Sequence, residues 1–177
     1  MMRQLLAAAV IAACSMVCAL AGSYRAPVVE PARFAGEEIA LSAIDRDKLA
    51  TSLAGHVANT VEPDANVRQL TKARRLLGLA LHMSPRNRAA VVTSFQFSRG
   101  HAPKKVAADY SAATLAELLQ TQARSLLAKK TEADTSLAGY LLDAAVEIDI
   151  ANESAVYELE IYKKDVGRVD WDRLIGE

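Results

Sequence analysis

An all-α fold of paired helices is predicted by three features of the sequence. Apolar residues make up 51% of the chain but aromatic ones only 5%, with alanine and leucine dominant, a composition that favours helices over a sandwich or barrel. Five prolines and eight glycines leave room for long elements. Apolar positions recur at helical spacing along most of the chain, in two copies offset by 65 residues.

The chain opens with an export signature. Arg3 is the one charge before Leu5–Ala21, which is uncharged and nearly all apolar, and Ala19-Leu20-Ala21 is the small-x-small pattern a signal peptidase reads. Two other readings compete with cleavage after Ala21. Ile11-Ala12-Ala13-Cys14 resembles a lipobox, and the apolar run sits at the lower length limit for a membrane anchor oriented by Arg3. Each reading carries the rest of the chain across a membrane, to a periplasm or cell envelope. Cys14 and Cys18 both lie in this leader, so a chain cut after Ala21 has no thiol, disulfide or cysteine-bound metal. The remaining residues, 177 − 21 = 156, suffice for one core that buries roughly 70% of the unfolded chain's surface.

Residues 22–41 read as a linker, because Pro27 and Pro31 restrict themselves and their predecessors. A helical domain is predicted over 42–177, with copies at about 42–100 and 108–165 and six helices in all. The first helix begins at a Ser42–Asp45 capping box and carries Leu49, Leu53, Val57 and Val61 in one stripe. The second, about 66–83, has a stripe broad enough for neighbours on two sides. The third, 88–98, and the sixth, about 153–164, hold strand formers such as Val91-Val92 and Tyr157–Ile161, yet their repeat context assigns them to helix. The fourth is capped by Ser111, and the fifth covers about 133–149. Asp170–Ile175 reads as a last turn with Trp171 folding back as a lid.

Shifted by 65, Ala73, Leu76, Leu77, Ala80, Asn87, Ala90 and Val91 fall on Ala138, Leu141, Leu142, Ala145, Asn152, Ala155 and Val156. A fixed period means stacked copies of one unit that cannot bury its apolar face alone. Ala73-x3-Leu77-x2-Ala80-x4-Pro85 resembles the second helix and closing proline of a tetratricopeptide repeat. Small alanines let helices approach, a leucine fills the gap and proline stops the helix. Ala138-x3-Leu142-x2-Ala145 repeats the pattern with Ile150 in place of the proline, and Gly167–Asp170 resembles the turn of a following repeat. The likeness spans about 73–170, although the family's tryptophan, leucine–glycine and tyrosine first-helix signature is largely missing. It implies a short solenoid of antiparallel hairpins with a concave, peptide-binding side. It carries over neither catalytic residues nor a carboxylate clamp.

Charge is balanced overall at 21 acids and 21 bases but segregated along the chain. Residues 65–108 hold nine bases and no acid, whereas 132–177 hold twelve acids and four bases. Arg68, Lys72 and Arg75 share a helical stripe, with Arg86 and Arg88 at the next turn. They form a candidate face for an anionic partner, either an acidic protein or an anionic membrane surface. Self-association between basic and acidic copies and a plain solvated face with internal ion pairs are the alternatives. Nucleic acid fits poorly, since few aromatics interleave with the cations. No H-E-x-x-H, G-x-S-x-G or phosphate loop occurs, and His56, His82 and His101 are scattered. Asp143 and Glu147 share a helix face, which is acid–base geometry only inside a cleft. The sequence therefore predicts a non-catalytic scaffold for an unknown protein or peptide, with no catalytic, metal or cofactor residues. An exported enzyme with an unrecognised site is the less favoured alternative.

Overall fold

The computed structural model describes residues 24–176; the expectations for the leader, including the choice among its three readings, lie outside the described residues. Among the described residues seven helices form: α1 Ala43–Thr60, α2 Val67–Met83, α3 Arg88–Ser98, α4 Ala112–Leu127, α5 Glu132–Ile148, α6 Glu153–Asp165 and α7 Trp171–Ile175. The count exceeds six because the expected last turn closes as a short helix. Among the described residues there is no strand, and no helix is long and apolar enough to cross a membrane.

Each helix starts where a side chain can satisfy its free amides. Ser42, Ser111 and Thr131 hydroxyls accept from the amides three residues on, and Asn66 forms a reciprocal capping box with Gln69. Asn87 and Asn152 cap α3 and α6. Once capped, the two strand-like segments bury one helical face. Ala90 and Phe97 go inward from α3, and Ala155, Leu159 and Tyr162 from α6; Val91, Val92, Phe95, Tyr157 and Ile161 are left exposed. An alternating strand would have needed those outer residues inside.

The duplication reaches individual hydrogen bonds. The Ser84 amide donates to Ala80 and the Asn87 amide to Ser84; 65 residues on, Asp149 donates to Ala145 and Asn152 to Asp149. The same turn forms with exposed Pro85 in one copy and exposed Ile150 in the other, so the asparagine cap, not proline, defines it. Ala73, Leu77, Ala80, Ala138, Leu142 and Ala145 are all buried. Fully burying a leucine contributes about 1.5–3 kcal/mol. Gly167 adopts φ +121, a conformation that favours glycine, between α6 and α7.

The helices α1, α2 and α3 pack on one another, as do α4, α5 and α6, and the two units meet through like helices, α1 on α4 and α2 on α5. The third helix of each unit is followed by open chain rather than a hairpin partner.

Residues 24–41 form no helix, as expected, but they are not a free linker. Tyr24, Phe34, Ile39 and Leu41 are buried in the core. The Tyr24 ring lies on Phe97 of the first unit, and its hydroxyl hydrogen-bonds Ser94 Oγ at 2.9 Å. Phe34 sits between His82 and Tyr140, and the Ala40 amide donates to Asp134 Oδ1 of the second unit at 2.8 Å. Arg46, buried in α1, donates to the Gly36 and Ala35 carbonyls. The segment is a strap across both units, and its apolar side chains outweigh the prolines in deciding its place.

The short α7 packs on α2, against which the strap also lies. Its Trp171 is buried beside Tyr140, with ring centroids 5.1 Å apart, and its indole N–H donates to the Asp143 carboxylate. His82 ties strap to α7. Its Nδ1 accepts the Arg33 amide at 3.1 Å, so the neutral ring carries its proton on Nε2, which donates to the Leu174 and Val28 carbonyls.

Candidate functional site

The floor of a cavity between α1 and α3 is set by which face of α1 remains after core packing. Leu49, Leu53 and Val57 point inward. The adjoining face carries Thr51, Ser52, Gly55 and Asn59, small enough to leave a trough between α1 and α3. From α3 come Arg88, Val92 and Gln96, and the 103–110 segment closes the third side with Pro103, Val106 and Tyr110. The resulting cavity is about 820 Å³ and mostly apolar, large enough for several residues of a peptide.

The 101–108 segment runs with neither helix nor turn; the His101 amide donates to the Gln96 carbonyl at its start, and Val106 is held midway. Asn59 Nδ2 donates to the Val106 carbonyl at 3.0 Å, and the Val106 amide donates to Asn59 Oδ1 at 2.8 Å. A side-chain amide thus reads both polar groups of one backbone residue. An exposed Lys105–Glu62 ion pair at 2.8 Å lies beside it. At the opposite end, Asn87 donates to Asp47 and Thr51, tying the start of α3 to α1. Hydrogen bonds from Asn87 and Ser84 hold the Asp47 carboxyl below the usual carboxylate range, so it remains ionised as a structural acceptor.

In the second unit polar side chains cross between the corresponding helices. Gln120 Nε2 reaches Ser154 Oγ and Glu158 Oε1, and the Arg124 guanidinium is bonded to Glu158, which bridges α4 to α6. Burial works to raise the Glu158 carboxyl, but its bonds to Arg124 and Gln120 outweigh that and hold it low.

The predicted basic face divides. Arg75 turns to the second unit, where it meets Glu147 at 3.2 Å and lies 5.7 Å from the Trp171 ring centre. Burial pushes the Glu147 carboxyl up and Asp143 adds to this, while Arg75 and Lys72 oppose it. Arg88 instead lines the trough, in a cavity sharing no residue with the one that Arg75 lines. Arg68 and Arg86 are exposed, Lys72 is half-buried, and among the described residues none of Arg68, Lys72, Arg86 and Arg88 forms an ion pair. Asp143 and Glu147 are engaged by Trp171 and Arg75 rather than gathered in an open cleft.

Within the trough, burial alone lowers the His56 pKa; no charged or hydrogen-bonding partner contributes. Among the described residues no three His, Cys, Asp or Glu side chains are placed to hold a metal. The arrangement presents shape, one amide clamp and a few rim charges. Sequence reasoning missed Asn59 and the strap, since a lone asparagine near a helix end carries no pattern of its own.

No protein-family model matches the chain, and searches of curated proteins and of solved structures give no match.

Proposed function

We propose that this protein is an exported, non-catalytic scaffold of the periplasm or cell envelope, built as a tetratricopeptide-like array, which holds a protein segment in the trough between α1 and α3. The observation that carries this reading is the trough itself: about 820 Å³, floored by small side chains, and open in one copy of a duplicated unit whose other copy is bridged by polar side chains. Its polar groups are suited to gripping and orienting a chain rather than to transferring protons. The bonds that match at an offset of 65 support the array, since they repeat one unit turn for turn.

The test is to pan a displayed peptide library against the chain and counter-select with Val92→Arg, a change at an exposed position lining the trough. Sequences that bind the wild type and not the variant, with both proteins equally helical by circular dichroism, are the expected result. Equal retention by both would place binding elsewhere and reject this site.

The exposed Arg68 and Arg86 favour a second reading, contact with an anionic membrane surface. Co-sedimentation with phosphatidylglycerol vesicles, lost in added salt and in Arg68→Glu/Arg86→Glu, is its signature.

A further inference from the structure

The trough already contains a length of chain. Val106 is held by Asn59 through both backbone groups, as a bound peptide residue would be, and its side chain lies over Gly55, where a Cβ would stand 3.6 Å from Val106 Cγ2. The hold is slight. Val106 is 50% exposed, and from Pro103 to Tyr110 the proline alone is buried. Segments with so few buried contacts open at low free-energy cost.

Building on the scaffold reading, we propose that residues 103–110 are an internal pseudo-ligand, and that the partner is an extended peptide segment which displaces them, its backbone gripped by Asn59 and an acidic side chain met by Arg88. The chemistry of each end is on the page. Asn59 reads an extended residue by its N–H and C=O, and the clearance over Gly55 suits a β-branched side chain such as valine. Arg88 is exposed on the rim, without an ion pair among the described residues, and the Asp47 carboxylate at this end is taken up by Asn87 and Ser84. The spacing also follows. Asn87 fixes the start of α3 opposite Asp47, twelve positions before Asn59 on α1, or about 18 Å along the helix. An extended chain covers that in about five or six residues. The favoured peptide therefore carries a β-branched residue and an acid about five positions apart.

The experiment uses the full chain and fluorescein-labelled heptapeptides of alanine and proline. Each carries one valine near one end and, five positions away toward the other end, a glutamate or a lysine, in both orders along the chain. Anisotropy gives affinity, and hydrogen exchange reports the Val106 amide. The glutamate peptide should bind more tightly than the lysine one, and its binding should speed exchange at Val106 as the segment leaves Asn59. Val106→Pro removes the amide that Asn59 accepts from but leaves the Asn59 side chain in place, so it should tighten peptide binding roughly fivefold by removing one of the two hydrogen bonds of the internal competitor. Asn59→Ala should weaken binding by a similar factor or more, and Arg88→Glu should reverse the glutamate-over-lysine preference. A purely structural Asn59 would change melting temperature and none of these.

Peptide binding that Val92→Arg abolishes, with no change in Val106 exchange and no gain in Val106→Pro, would overturn the pseudo-ligand while leaving the scaffold reading intact. Absence of binding to wild type and Val106→Pro alike, together with an empty library screen, would overturn both.

Discussion

Replacing Asn87 with alanine removes two kinds of bond at once. Its Oδ1 accepts the Ala90 amide at 3.0 Å as the cap of α3, and its Nδ2 donates to Asp47 and Thr51 of α1 at 2.8–3.1 Å. Losing the cap costs about 1 kcal/mol. The two Nδ2 hydrogens add about 0.5–1.5 kcal/mol each, since Asn87 is buried and only the Ser84 hydroxyl would still donate to Asp47. The expected loss is about 2–4 kcal/mol, or roughly 4–16 °C in Tm for a chain of this size. Asn152, the duplicate residue, caps Ala155 in the same way but donates only to Gln120, at 3.3 Å. Asn152→Ala should therefore cost less, about 1–1.5 kcal/mol. Asn87→Asp separates the two contributions. It is as good a cap, but it loses the donor and brings a second carboxylate to Asp47, so it should be no better than alanine. Urea titrations of the four proteins, followed by far-ultraviolet circular dichroism, give the order directly. An Asn152→Ala loss equal to or larger than that of Asn87→Ala, or an Asn87→Asp variant as stable as wild type, would refute the assignment of the excess to the α1–α3 tie.

Three further outcomes follow from the packing. Burial lowers the His82 pKa, against the raising effect of its bonds to the Leu174 and Val28 carbonyls; the unfolded chain takes up the proton first, so stability is full above about 6.5 and falls as pH drops below it. His56 shifts the same way, so the fall is read as the difference between wild type and His82→Gln melting temperatures on a His56→Asn background, and a pH-independent difference would contradict it. Gly78→Ala and Gly55→Ala should have opposite signs in denaturant titration: a Cβ at Gly78 would stand 2.4 Å from Ile175 Cγ2 and 3.3 Å from Pro27 Cβ, costing about 1–3 kcal/mol, whereas Gly55 has room and should gain up to about 1 kcal/mol from helix propensity. Phe34→Ala should cost about 3–5 kcal/mol by thermal or urea unfolding, because the side chain is 2% exposed; a near-zero effect would return residues 24–41 to the linker first expected.

How far the sequence could be read depended on whether a feature was local. The caps at Ser42 and Ser111 act within three residues, and the apolar stripes within two turns, so helix positions and the 65-residue repeat were legible. Even the strand-like Val91–Phe97 yielded once its duplicate was set beside it. The strap did not. Pro27 and Pro31 say only that no helix forms, and the pairing of Arg33 with His82 or Ala40 with Asp134 spans 49 and 94 residues with no periodicity to announce it. The basic stripe was legible only in part, for a related reason. Helical spacing puts Arg68, Lys72 and Arg75 on one side of α2, but it cannot reveal that Glu147 of α5 arrives there to engage Arg75.

The two units share a frame and differ in what crosses it, and that difference is the strongest argument for where function lies. Gln120 in the second unit stands where Ala54 stands in the first, when Leu53 is set on Leu119. The long amide reaches α6 and draws in Ser154, Glu158 and Arg124, whereas the methyl group reaches nothing and leaves the trough. If the open face were merely a packing defect, bridging it should stabilise the protein without loss of binding. Ala54→Gln with Thr93→Glu installs the second unit's pair in the first, since Thr93 corresponds to Glu158 at the offset of 65. Because Ala54 and Thr93 are both buried, the bridge must grow into the trough that they line, so a folded variant would have to lose its peptide whatever happens to its stability. Retained peptide affinity in that variant would move the binding face away from α1 and α3.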